Sequence, residues 1–193
     1  MSDELAQLLR DRFDLSPDDV VAALRALPAL RPWAATLTAE EARLLDDVGF
    51  TEDPEAYAEA AVDIAAHLGR LISTAYTAND VAAGLGISQS RVRQRRLSGE
   101  LWAIADRATW LFPVLQFERD ANGGPTRQIR GLGEVFPALP DDLHPVAIAG
   151  FLHTPQPDLE VNGRPVAPLE WLRSGGDVAA VLTAAQALEW ASR

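Results

Sequence analysis

Helical spacing dominates the first 76 residues. Ser16-Pro17-Asp18-Asp19 places a capping serine before a proline at the first helical position and an acid three residues after the cap. Val20, Val21, Leu24 and Leu27 follow on one face until Pro28 and Pro32 end the segment. Thr38-Ala39-Glu40-Glu41 is a capping box opening a second helix with Leu44, Leu45 and Val48 on one side. A third helix starts at Asp53-Pro54-Glu55. Its stripe of Tyr57, Ala60, Ala61, Ile64, Leu68, Leu71 and Ile72 lasts about five turns. A helix of that kind packs within its own domain or against a second copy, so a homodimer is one expectation for residues 1–76.

The pattern changes at Thr77. Thr77 caps a short helix with Asp80 in the third-position acid slot, and Val81, Ala82 and Leu85 supply its buried face. Small Ala83 is read as permitting a close helix crossing. Gly86 stands where a turn needs positive φ, Ile87 plugs the core, and Ser88 caps the next helix. That helix turns Val92 inward and exposes Gln89, Ser90, Arg91, Arg93, Gln94, Arg95 and Arg96. Gly99-Glu100-Leu101 leads into a strand, Leu101–Ala105. Asp106-Arg107-Ala108 makes a turn and Thr109-Trp110-Leu111-Phe112 returns. Trp102, Trp110, Phe112 and Phe117 are expected to form the hairpin core.

The remaining pattern is broken by prolines and glycines. Ala121–Pro125 is a turn cluster, and 126–145 reads as a connector with one short helix at most. A helix, a Pro/Gly-rich stretch from Thr154 to Pro165, a short helix around Leu169–Arg173 and a last helix after Gly175-Gly176-Asp177 complete the chain. The expected fold class is mainly α with a small β-hairpin wing. The expected division is a helical region 1–76, a winged helix-turn-helix 77–119, a connector 120–140 and a small helical domain 141–193.

Composition sharpens this at three points. The 193 residues are long enough to bury a core, and the absence of cysteine excludes disulfide frameworks, cysteine-based metal sites and thiol catalysis. The N-terminus is too charged for a signal peptide and no apolar run approaches the roughly 20 residues of a membrane span, so a soluble cytoplasmic protein is expected. All 17 basic residues are arginine. The net charge of −11 argues against indiscriminate coating of DNA. The charge is uneven, however: residues 1–76 sum to −9, residues 77–119 to +2 and residues 120–193 to −4.

The positive segment is the one with the helix-turn-helix layout. Polar side chains near a helix N-terminus, backed by arginines, suit base edges and phosphates in a major groove. Ser88, Gln89, Ser90, Arg91, Arg93, Gln94, Arg95 and Arg96 are therefore the expected DNA-binding residues, with Arg107 at the wing tip reaching the adjacent backbone or minor groove. Taken singly, four arginines on a helix describe a solvated face. The turn glycine, the serine cap and the hairpin in order make the stronger case. This stretch of about forty residues resembles the winged helix-turn-helix of excisionase and MerR-like regulators, in which Gly-Glu-Leu opens the wing.

The C-terminal segment has a second resemblance. Thr154-Pro155-Gln156-Pro157 ends a helix, Leu159 and Gly163-Arg164-Pro165 follow, Pro165 to Leu169 with Trp171-Leu172 starts a short helix, and Gly176, Val178, Val181 and Leu182 close the segment. This is similar to the toxin-binding domain of Xre/MbcA/ParS-type antitoxins over about forty-five residues. It departs from that pattern by the inserted Glu160-Val161-Asn162 and by running on to Trp190. The resemblance implies an antitoxin of a type II toxin–antitoxin system, whose partners are a cognate RES-domain toxin that consumes NAD and the operator DNA of its own operon. It implies that His153, Thr154, Pro155, Asp158, Leu159, Arg164, Pro165, Leu169 and Trp171 meet the toxin, with Asp158, Glu160 and Glu170 available to the basic rim of its cleft.

The residues themselves offer no nucleophile–base pair, phosphate loop or metal motif, so no enzyme, cofactor or metal is expected. His144 and His153 lack helical partner spacing for a metal. The alternative is a MerR/excisionase-like transcriptional regulator without a toxin, its C-terminal segment serving dimerisation or effector sensing.

Overall fold

The computed structural model describes residues 54–106, 109–140 and 142–191, with Ala6, Gln7, Leu9–Asp11, Ser16, Thr38, Glu40, Arg43 and Leu44. The expected helices after Ser16 and Thr38 lie largely outside the described residues. The chain divides into two compact units, Met1–Arg70 and Leu71–Arg193.

Helix α1, Pro54–Ser73, begins at the proline the pattern chose. Proline suits a first helical turn because its missing N–H would lack an intrahelical partner there anyway. Ala65 and Leu68 are buried, whereas Val62 and Ile64 are exposed. Ala60 is exposed too, so the buried line is narrower than the expected stripe.

In the second unit, Tyr76–Thr77 is a two-residue strand β1, followed by α2, Ala78–Leu85, and α3, Gln89–Leu97. Both helix starts are chemically enforced. The Thr77 hydroxyl accepts from the Asp80 N–H while the Asp80 carboxylate accepts from the Thr77 N–H, closing a full capping box. Ser88 Oγ accepts from the Arg91 N–H at 3.2 Å. Between the helices Gly86 sits at φ 64°, a left-handed conformation, and its N–H reaches the last carbonyls of α2.

The expected close crossing at Ala83 is elsewhere. Ala83 is exposed, and the tight approach is at its neighbour Gly84. A Cβ on Gly84 would lie 1.9 Å from the Pro125 carbonyl oxygen, so only glycine lets α2 approach the chain at Pro125.

The wing consists of β2, Ile104–Asp106, and β3, Thr109–Phe112. They pair antiparallel with Asp106 opposite Thr109, and β1 adds to the other side of β3, giving sheet order β1-β3-β2. The first wing strand is shorter than expected. Leu101 and Trp102 are buried, but the Trp102 N–H and C=O are bonded to the side chain of Gln116 rather than to a strand.

The fold class differs from the expectation. Among the described residues there are three small antiparallel sheets, so the fold is mixed α and β rather than mainly α with one hairpin. β4, Phe117–Arg119, pairs with β5, Pro125–Gln128, around the Ala121–Pro125 turn cluster. β6, Gln156–Val161, pairs with β7, Arg164–Val166, inside the stretch expected to be irregular. Its turn is Asn162-Gly163, with φ 53° and 76°. Two consecutive positive φ angles match the twist of a tight hairpin, and Asn-Gly adopts them at small cost. The prolines at 157 and 165 are tolerated because each sits in a strand of a two-stranded sheet, with an edge free of partners.

The stretch from Asp120 to Pro140, expected to be a connector, carries β5 and a short helix α4, Leu132–Val135. Ile129, Leu132, Val135 and Leu139 are buried in a core completed by α5 (Pro145–His153), β6, β7, α6 (Pro168–Arg173) and α7 (Val178–Ala191). A second core lies within the helix-turn-helix and wing, around Val81, Val92, Leu101, Phe112 and Phe117. No helix among the described residues is long and apolar enough to cross a membrane.

Candidate nucleic-acid interface

Val92 is completely buried, and this fixes how α3 is rotated. Residues three and four positions away lie on the same side of a helix, so Arg95 and Arg96 flank the buried line while Ser90, Arg93, Gln94 and Leu97 point outward. All four outward residues are exposed, as are Ser88, Gln89 and Arg91. Nine helical residues span about 13 Å, the rise of about four base pairs.

The eight expected residues of this helix and its cap therefore divide in use. Arg93 makes no hydrogen bond or ion pair among the described residues, leaving its guanidinium available. Arg91 donates to Gln94 Oε1, at 3.4 Å, and to no other side chain among the described residues. Ser88 is committed to capping and its hydroxyl also pairs with Ser90 at 2.9 Å. Gln89 donates to Asn79 of α2, which holds the N-terminus of α3 against that helix.

Arg95 and Arg96 are held by the protein itself. Arg95 is half-buried, pairs with Glu100 at 3.1 Å and donates to Gln128 of β5. Gln128 in turn donates to the Glu100 carbonyl. Hydrogen bonds from Ser98 and Arg95 hold the Glu100 carboxyl below the usual carboxylate range. The Gly99-Glu100-Leu101 motif thus has a physical reading. Gly99 turns the chain at φ 74°, Glu100 clamps Arg95, and Leu101 enters the core. Arg96 lies with its guanidinium carbon 3.8 Å from the centroid of a Trp110 ring, a cation–π contact that braces α3 against the wing.

Trp110 was expected in the hairpin core and is instead 42% exposed. The other three aromatics are buried as the pattern indicates: Trp102, Phe112 and Phe117. A groove of about 510 Å³ runs between α3 and β3, with Gln89, Ser90, Arg93, Arg96 and Trp110 on its walls. Arg107, assigned to the wing tip, lies outside the described residues.

Comparison of the chain with protein-family models, curated proteins and solved structures gives no match. The site therefore rests on its geometry alone.

The residues implied to meet a toxin also divide. Leu159 and Leu169 are buried in the C-terminal core, so they hold the hairpin and α6 in place and have no surface to offer. Trp171 is half-buried, with its indole N–H donating to the Asp177 carbonyl and its ring filling the space left by Gly176. His153, Thr154, Pro155, Asp158, Arg164 and Pro165 are exposed, and Arg164 pairs with Glu170 at 3.2 Å. His144 caps α5 by accepting from the Val146 N–H on Nδ1, and burial holds its pKa below the ordinary value. No group of metal-ligating side chains gathers among the described residues.

Gln116 and Gly84 matter to the structure and carry almost no signal in the sequence. Gln116 is fully buried and bonds Trp102 through both ends of its amide, so the start of the wing depends on it. Its only signal in the sequence was a polar residue between Leu115 and Phe117.

Proposed function

We propose that this protein is an antitoxin that represses its own operon by binding operator DNA and neutralises a RES-type, NAD-consuming toxin by direct contact. In this reading α3 enters the major groove, Ser90, Arg93 and Gln94 face the bases, and Arg91 meets a flanking phosphate. The observation that carries the DNA half is the rotation of α3. With Val92 fully buried, the exposed polar side chains of the one positive segment share a single face. The net negative charge of the flanking regions favours specificity, because it opposes non-specific attraction to phosphates.

The toxin half rests on the resemblance of residues 145–188, in which His153, Thr154, Pro155, Asp158, Arg164 and Pro165 are exposed. The leucines of that pattern act as core, so the exposed residues are the ones available for contact. A regulator of the MerR or excisionase type without a toxin uses the same α3 and wing.

The test is titration of the DNA upstream of its own gene, beside a scrambled fragment, at several salt concentrations. Specific binding that weakens steeply with salt is the expected outcome. Charge reversal of Arg91 and Arg93 together should weaken it at least a hundredfold, since attraction becomes repulsion at two sites. Neutralisation of the toxin should survive in that variant. Specific DNA binding without any co-purifying toxin would select the regulator, and unchanged DNA binding in the double variant would remove α3 from the interface.

A further inference from the structure

The recognition helix has two flanks, and only one of them is the wing. A B-DNA major groove is about 12 Å wide, close to the diameter of a helix with its side chains. A helix lying in it therefore has a phosphate backbone along each flank. On one flank of α3, Arg96 stacks on Trp110 of the wing. The opposite flank is edged by Arg95, whose guanidinium reaches across to Gln128 of β5.

Beside that contact is a concave surface of about 380 Å³, where Ile87 of the helix-turn-helix turn meets Arg95, Thr126, Arg127 and Arg130. The three arginines are engaged differently. Arg95 is neutralised by Glu100. Arg130 donates to the carbonyls of Gly175 and Gly176. Arg127 is exposed and makes no hydrogen bond or ion pair among the described residues. Glu134 lies on the same surface, so Arg127 and Arg130 leave it with a modest positive excess.

We propose that this cradle is a second DNA-backbone contact, in which Arg127 on the β4–β5 hairpin binds a phosphate on the flank of the groove opposite the wing. Thr126, beside it, donates its hydroxyl to the Glu118 carbonyl at 3.1 Å and so braces the hairpin that carries Arg127. Arg95, Gln128 and Glu100 fix the distance between this hairpin and α3, so the two contacts move together. The role is one of positioning on the duplex, without reading of bases. The inference rests on the DNA-binding reading given above.

The experiment compares wild type, Arg127→Ala, Arg127→Lys and Arg93→Ala on the upstream fragment and on a scrambled fragment, across 50 to 200 mM salt. Each phosphate contact contributes about 0.9 to the logarithmic salt slope. Arg127→Ala should lower affinity for both fragments by a similar factor and reduce the slope by about 1. Its affinity should accordingly fall roughly three- to fourfold less than wild type over that salt range. Arg127→Lys should restore the slope. If Arg127→Ala keeps the wild-type slope while Arg93→Ala weakens binding, DNA binding stands and the cradle is overturned. Loss on the upstream fragment alone overturns it as well, since that would be base reading. If the wild type binds neither fragment, the underlying DNA reading fails instead. A circular dichroism melt of Arg127→Ala matching wild type excludes a folding defect, because the side chain is exposed.

Discussion

The two cores of the second unit are built on different principles. The helix-turn-helix core contains six buried residues and the C-terminal core twelve, counted among the described residues. The smaller core is held in shape by polar devices at its margins: the Thr77–Asp80 box, the Ser88 cap, the Arg95–Glu100–Gln128 cluster and the buried Gln116 amide. The larger one buries twice as many apolar residues, with close seats at Gly131 for Val178 and at Gly176 for Trp171, and has its polar bonds from Arg130 and Trp171 around the start of its last helix. A small core buries less apolar area and gains less from it, so directional bonds must define its geometry. That suits a surface whose work depends on where a few arginines stand.

The sharpest way to break this contrast is Gln116→Leu. The replacement removes three hydrogen bonds and leaves the Trp102 N–H and carbonyl buried without partners. Each orphaned group costs about 1–3 kcal/mol, so a loss of about 3 kcal/mol is expected. Thermal unfolding measured by calorimetry checks it. A loss below about 1 kcal/mol would mean that apolar packing alone holds the start of the wing and that the two cores do not differ in kind.

How far each core could be read from sequence follows the same division. The helix-turn-helix is legible because its signals are local. Thr77 and Asp80, Gly86, and Ser88 with Arg91 act across three residues or fewer, and each residue type serves one geometric need. Arg95 and Gln116 are illegible for the opposite reason: their partners Gln128 and Trp102 are thirty-three and fourteen residues away. The two missed hairpins fail differently. In β6–β7 the Asn162-Gly163 turn lies inside a Pro/Gly-rich stretch that carries no strand alternation, and edge strands tolerate the prolines. In β4–β5 the strands are too short and polar to alternate. Leucines at 159 and 169 fitted a binding motif, yet a leucine near a hairpin or a helix start is first a packing residue, and burial decided for packing.

The C-terminal core should yield to a packing change where the other yields to a polar one. Gly131 has φ 86°, and a Cβ there would stand 2.6 Å from a Val178 methyl. Gly131→Ala combines left-handed strain of about 1 kcal/mol with a methyl that displaces Val178, for a total of about 2 kcal/mol. The same calorimetric scan tests whether the cores are independent. Two transitions, with Gln116→Leu lowering one and Gly131→Ala the other, would separate them. A single transition lowered by both variants would join them, as expected for parts of one compact unit. A truncation at residue 141 is a poorer probe, because it strips the partners from Ile129, Leu132, Val135 and Leu139.

The smallest effect concerns a margin of the C-terminal core that uses a histidine cap. Neutral His144 accepts the Val146 N–H on Nδ1, and burial lowers its pKa from the ordinary 6.5. The unfolded chain therefore binds its proton at higher pH than the folded chain does. Stability from this group is fully present above the ordinary value and is lost as pH falls through the folded value. Protonation also turns the acceptor into a donor, so the cap fails in the same step. Asparagine caps a helix without titrating in this range. Between about pH 7.5 and 5.5 the melting temperature of wild type should fall more than that of His144→Asn, the difference isolating this histidine from carboxylates that titrate in both proteins. Parallel curves would show that the cap is held by its surroundings rather than by its hydrogen bond, and the C-terminal core would then be apolar at this margin too.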